Sequence, residues 1–229
     1  MISSSIAPRR AVHRAAANAT CTSRPRLLAP VCVSPASTSR FSSVAGVTES
    51  DEARSRKDAI DALLRVDHAG EIGANVIYKG QIAVLGRDKA VRPMLQHMLD
   101  QEVVHLAEFD SLLAEHRTRP SLLRPLWEAT GFTLGAVTAA MGKEAAMACT
   151  EAVETVIGEH YNDQIRDLLE RGDPKDAQLI ATLKRFRDEE LEHKDIAVEN
   201  DSQQAPFYTA LSTVIQQGCR AAIWVAKRV

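Results

Sequence analysis

Two short stretches, "DQEVVHLAEF" (100–109) and "RDEELEHKDI" (187–196), each set a glutamate and a histidine three residues apart: Glu102 with His105, and Glu190 with His193. On a helix, residues i and i+3 share one face, one turn apart. In both stretches that face is otherwise apolar. The first stripe runs Leu95, Met98, Glu102, His105, Phe109 and Leu112, and the second Leu179, Leu183, Phe186, Glu190, His193 and Ile196. A buried, ionised carboxylate costs several kcal/mol unless it is paired or bound to a cation. A fold for this chain must therefore give two core-facing acid–imidazole pairs something to bind.

The rest of the chain supplies the frame. Aromatic residues make up only 4% of the sequence while Ala and Leu abound, which favours helices over a β sandwich. Six helices are predicted: Asp51 to Gly86, from after "GRDKAVRP" to about Arg117, Pro125 to Gly142, Lys143 to Arg171, Lys175 to Asn200, and Ala205 to the C-terminus. Gly and Pro fall at their joints, and no segment shows a sustained strand alternation.

Two further helices carry core-facing acids. On the first, Ile60, Leu64, Asp67, Glu71, Ala74, Tyr78 and Ile82 share a face; on the fourth, Met147, Glu151, Glu154, Ile157, Tyr161, Ile165 and Leu168 do. Along the chain, Glu71 precedes the first Glu-x-x-His by 31 residues and Glu154 precedes the second by 36. The halves thus repeat, each as a helix pair. This is the ligand pattern of ferritin-like carboxylate-bridged metal proteins: a Glu from each of two helices, and Glu-x-x-His from each of the other two. Asp67 and Glu151 are the alternatives to Glu71 and Glu154 on their helices. The expected architecture is all-α, a ferritin-like four-helix di-iron bundle with two additional apolar or amphipathic helices.

Four carboxylates and two imidazoles offer hard oxygen, some nitrogen and no sulfur, which suits iron or manganese rather than structural zinc or copper. Four carboxylate charges also balance two divalent ions. Sites of this kind reduce or activate dioxygen. His160 and Tyr161 lie a few residues beyond Glu154 and are candidates for supporting the ligands or orienting a substrate. His68, His97 and His116 are assigned to the surface or to a supporting shell.

The charge distribution limits the partners. Residues 1–48 hold six of the 28 basic residues and no Asp or Glu, leaving 22 basic against 30 acidic side chains in the remainder, a net charge of −8. An acidic body argues against nucleic acid as a partner. The Arg-, Ser- and Ala-rich start lacks the apolar segment of a secretory signal and reads as a mitochondrial transit peptide, residues 1–48, ahead of one domain, 49–229. Cys149 and Cys219, with no CxxC, read as two buried thiols.

Several longer stretches carry a resemblance. "LLRVDHAGEIGANVIYKGQ", "DQEVVHL", "RPLWEATGFTLGA", "GKEAAMACTEAVETVIGEHYNDQI", "RDEELEHKDIA" and "QQGCRAAIW" are similar to the demethoxyubiquinone hydroxylase family of ubiquinone biosynthesis, over about residues 56–229. The resemblance implies a di-iron monooxygenase that hydroxylates the ring of a polyprenylated quinone or quinol, with dioxygen and electrons from NADH. It implies a peripheral position on the matrix side of the mitochondrial inner membrane, and a lipid-presenting partner protein. By position, it implies that Glu102 and Glu190 bridge two irons, that Glu71 and His105 serve one, and that Glu154 and His193 serve the other.

Two helices bear on the membrane independently. "PLWEATGFTLGAVTAAM" is short for a span and includes Glu128, and the last helix sets Arg220, Lys227 and Arg228 beside an apolar side. Both read as interfacial or partner-binding helices, and an apolar entrance between them would suit a water-insoluble quinone. The rival readings are a quinol oxidase with the same ligands and a ferritin-like storage bundle.

Overall fold

The computed structural model describes residues 49–229; the expected transit peptide lies outside them. Within the described residues the secondary structure is entirely helical: α1 (Glu49–Leu85), α2 (Arg92–His116), α3 (Arg124–Ala140), α4 (Lys143–Arg171), α5 (Ala177–Glu199) and α6 (Tyr208–Ala226). The first four match the sequence reading within two residues at nearly every end. The last two start later than expected, for local reasons. Before α5, Pro174–Asp176 form a 3₁₀ turn whose Lys175 N–H is capped by Asp173. Before α6, Phe207 takes a positive φ of 56°, which delays the helix to Tyr208.

Helix ends follow the sequence. The acidic first turn of α1 (Glu49, Asp51, Glu52) complements its dipole. Glycines delimit α4: Gly142 at φ 125° and Gly172 at φ 65° adopt conformations that a side chain would strain.

The bundle is built from α1, α2, α4 and α5. α1 packs along α2 and α4 along α5, while α3 lies against α1 and α6 against α4. The predicted stripes are the core. One apolar cluster contains Ile60, Leu64, Phe109, Ile165, Leu183 and Phe186, and another contains Tyr78, Leu95, Met98, Ala146, Met147 and Ala197. Along each helix the acidic and imidazole residues fall between these clusters, so a polar layer divides the apolar bundle.

The α1–α3 contact is closer than hydrophobic patterning suggests. A Cβ on Gly135 would stand 2.1 Å from the Ile77 carbonyl oxygen, one on Gly131 2.9 Å from that of Gly73, and one on Gly80 2.3 Å from that of Phe132. The two backbones approach as only glycine permits, which fixes α3 on the outside of α1. No described helix is long and apolar enough to cross a membrane.

Candidate metal centre

The polar layer brings all six expected residues together. One donor atom each from Glu71, Glu102, His105 and Glu190 lies within 4.8 Å of the others, and so does one each from Glu102, Glu154, Glu190 and His193. The two quartets share Glu102 and Glu190. Each therefore combines one Glu-x-x-His histidine, one lone glutamate and the same pair of central carboxylates. All six side chains are buried.

Both histidines point Nδ1 inward. His105 Nδ1 lies 3.1 Å from Glu190 Oε1 and 3.5 Å from Glu71 Oε2; His193 Nδ1 lies 3.2 Å from Glu102 Oε1 and 3.1 Å from Glu190 Oε2. Their outer nitrogens are held elsewhere. His105 Nε2–H donates to Glu189 Oε2 at 2.5 Å, and His193 Nε2–H to Gln101 Oε1 at 2.9 Å. With Nε2 engaged outward, Nδ1 of each ring faces the quartet, where it would give its lone pair to a cation once its proton is displaced.

The lone glutamates are matched in the same way. Tyr161 donates to Oε1 of Glu71, and Tyr78 to Oε1 of Glu154 at 2.9 Å. The second oxygen of each, Oε2, has no hydrogen-bond partner, and neither have both oxygens of Glu102 or Nδ1 of His105. Orphaned buried acceptors concentrated at one point are unusual in a folded protein. They are the atoms a pair of cations would bind.

Without a cation the layer is electrostatically hostile. Burial, reinforced by the Glu190 and Glu71 carboxylates, pushes Glu102 well above the carboxylate range. Burial with Glu190 and Glu102 does the same to Glu154. At Glu190 burial also pushes upward, but His105 and His193 outweigh it and bring the carboxyl down to about 2. At His105 burial pushes downward, and the Glu190 and Glu71 carboxylates outweigh it to bring the ring up to about 12. The metal-free site thus depends on sharing protons. Two divalent cations would replace them, and the O- and N-donor set fits iron or manganese.

The alternative ligands are engaged elsewhere. Asp67 Oδ1 accepts from Gln164 at 2.7 Å and stands 3.3 Å from His160 Nε2. Glu151 accepts from Ser202 at 2.5 Å and Tyr208 at 2.8 Å, tying α4 to the connection before α6. Neither belongs to a quartet. His68 is buried and reaches Asp110 at 3.0 Å, bracing α1 on α2, while His97 is exposed. Sequence reasoning gave no role to Tyr78, Gln101 or Glu189. A signal existed for each: Tyr78 follows Glu71 as Tyr161 follows Glu154, and Gln101 and Glu189 each immediately precede a central glutamate.

A cavity of about 600 Å³ runs between α1, α3, α4 and α6 to this layer. Glu71, Tyr161, Asp67 and His160 form polar parts of its wall, and residues such as Trp127, Leu134, Ile215 and Ile223 line the rest. Cys219 is also in the wall and half-buried, whereas Cys149 is fully buried; burial raises both thiols to about 12.

The family model described as "Ubiquinone biosynthesis protein COQ7" matches residues 58–226, which span the whole site. The chain belongs to this family. A Bos taurus relative named "NADPH-dependent 3-demethoxyubiquinone 3-hydroxylase, mitochondrial" is 53% identical over 173 residues, 76% of this chain and 79% of the relative. "3-demethoxyubiquinol 3-hydroxylase" of Rhodospirillum rubrum is 55% identical over 170 residues, 74% of this chain and 78% of the relative. "5-demethoxyubiquinone hydroxylase, mitochondrial" of Saccharomyces cerevisiae is 50% identical over 182 residues, again 74% and 78%. The bovine name specifies NADPH, whereas the family resemblance implies NADH.

Proposed function

We propose that this COQ7-family chain is a di-iron monooxygenase that hydroxylates the ring of a polyprenylated demethoxyubiquinone or its quinol. The observation that carries this reading is the pair of buried quartets sharing Glu102 and Glu190 at the wall of a largely apolar cavity. Glu71, Glu102 and Glu190 with His105 would hold one iron, and Glu154 with His193 and the same two central glutamates would hold the other. When bound, the irons supply redox chemistry with dioxygen, using electrons that come ultimately from a nicotinamide cofactor; the relatives' names favour NADPH.

The protein's own residues do the rest. Glu102 and Glu190, placed in both quartets, fix the spacing of the two positions. Tyr161 and Tyr78 each hold one oxygen of a lone glutamate, so the other oxygen keeps its aim. The apolar cavity wall excludes water from the ring and accepts an isoprenoid tail, whose burial is favourable per methylene. His160, at the polar part of the wall, orients the ring by a hydrogen bond to one of its oxygens, and Tyr161, whose proton goes to Glu71, accepts from a ring hydroxyl of the quinol. His160 is itself steadied by Gln164, whose amide is 2.9 Å from His160 Nε2.

The surface suits an interfacial enzyme. Leu122, Leu126, Phe132, Val137 and Met141 on and beside α3, and Val214 and Trp224 on α6, are exposed, although each belongs to a helix or turn flanking the cavity. An apolar rim around an apolar cavity supports an entrance that faces a bilayer or a lipid-presenting protein. In the proposed function this surface faces the matrix side of the inner membrane, and residues 1–48 act as the import signal.

The test is a single turnover of protein loaded with iron(II), whose two ferrous ions carry the two electrons that the reaction needs, with labelled dioxygen and a short-tailed demethoxyquinone. A hydroxylated ring carrying one labelled oxygen is expected. Oxygen consumed to water with the ring unchanged would mean an oxidase instead.

A further inference from the structure

The inner donors of the two quartets are duplicates. Each has a histidine presenting Nδ1, a lone glutamate held at Oε1 by a tyrosine hydroxyl, and the two shared carboxylates. The match breaks at the outer nitrogen of each imidazole. Glu189, immediately before Glu190 on α5, reaches across to His105 on α2; Gln101, immediately before Glu102 on α2, reaches across to His193 on α5. The repeat thus places a carboxylate at one equivalent position and a neutral amide at the other.

That difference has a chemical consequence. A carboxylate accepting the Nε2–H of a metal-bound imidazole makes the ring a stronger donor, whereas an amide oxygen fixes its orientation with much less effect on basicity. Glu189 is itself held in place, since Arg185 stands 3.9 Å from its other oxygen and is anchored to Glu108 at 2.6 Å. Among the described residues no charged side chain supports Gln101 in this way, and its oxygen serves His193.

We infer that Glu189 and Gln101 are positioning residues that make the two metal positions unequal, the one at His105 binding a divalent cation more tightly than the one at His193. This rests on the metal-centre reading above. Loading is then ordered, and the first ion enters the half walled by Glu71 and Tyr161, the half that faces the cavity.

The experiment titrates metal-free full-length protein with cobalt(II), following visible absorption and counting bound ions. Wild type is expected to take up two ions in two separable steps. Glu189→Gln keeps an acceptor oxygen while removing the charge; it should weaken the tighter step by about 10–100-fold and leave the weaker one in place. Gln101→Glu should strengthen the weaker step and bring the two together. A merely structural role for Glu189 would lower both steps alike, and that result, or two unchanged affinities, overturns the inference. If Glu189→Gln fails to fold, Gln101→Glu decides the matter alone: an unmoved weaker step refutes it. Wild type that binds no cobalt would defeat the metal-centre reading and this inference with it, whereas two ions in wild type with unaltered variants defeats the inference only.

Discussion

Tyr78 on α1 donates its hydroxyl to Glu154 on α4 at 2.9 Å, deep in the bundle. Tyr161 on α4 returns the contact to Glu71 on α1, so the lone glutamates and their tyrosines are crossed between the two halves of the repeat. Each tyrosine is buried, and burial with the facing carboxylates holds its own hydroxyl protonated, well above the usual phenol value. Each is therefore a donor at any physiological pH.

Removing one of these donors leaves a buried carboxyl oxygen unsatisfied. Tyr78→Phe should destabilise the metal-free protein by about 1–3 kcal/mol in urea unfolding. It should also weaken metal uptake. Wild-type stability and uptake in that variant would show that the hydroxyl does not support Glu154.

The metal-free protein should lose stability as pH rises. Glu102 and Glu154 keep their protons in the fold well above the 4.5 at which the unfolded chain releases them, so stability falls above that value. His105 acts in the same direction: its contribution is complete below 6.5 and disappears as pH approaches about 12. Glu190 acts oppositely, contributing fully above 4.5 and losing its effect as pH falls towards about 2. The melting temperature without metal should therefore drop between about pH 6 and about pH 9. Divalent metal needs deprotonated ligands, so the increment it adds should grow over that range. A metal-free protein that becomes more stable on the alkaline side would contradict these assignments.

The α1–α3 contact gives a test of packing. A Cβ at position 135 would overlap the Ile77 carbonyl at 2.1 Å, while one at Gly73 would meet nothing within 4 Å. Gly135→Ala should cost about 1–3 kcal/mol by forcing the helices apart. Gly73→Ala should be neutral or mildly stabilising through helix propensity. Equal effects in thermal melts would mean that α3 is not held by this approach.

Legibility in the sequence followed periodicity. The four stripes are what made Glu71, Glu102, Glu154 and Glu190 stand out, and they are buried as the pattern requires. Choosing Glu71 over Asp67, or Glu154 over Glu151, was beyond periodicity alone, because a helical turn puts both members of each pair near the core. Their partners differ: Asp67 turns to Gln164, and Glu151 to Ser202 and Tyr208, while Glu71 and Glu154 face the quartets. Glu189 and Gln101 were illegible because they sit just off the stripe and act across helices, α5 to α2 and back. The glycine-mediated seating of α3 was also missed, since small residues leave no hydrophobic signal.

Trp224 is the sharper probe of the proposed membrane face. It is 59% exposed, with the Arg228 guanidinium 3.8 Å above its ring, whereas Trp127 is half-buried and donates to Ser121 at 3.1 Å. Trp224→Asp should leave the fold and metal content intact while reducing binding to anionic vesicles and turnover of a long-tailed quinone. Turnover of a short-tailed analogue should be spared. Unchanged vesicle binding would remove α6 from the interface, and Trp127→Asp, expected to disturb the start of α3, is the less clean comparison.

The proposed di-iron centre requires Glu102 and Glu190, which belong to both quartets, to serve both metal positions at once. The direct measurement is iron per chain in purified, iron-loaded protein, for wild type and for Glu102→Ala under the same loading. Two irons per chain in wild type, and loss of both from a still-folded Glu102→Ala variant, is the predicted result. A variant that retains both irons, or a wild type that holds none, would contradict it.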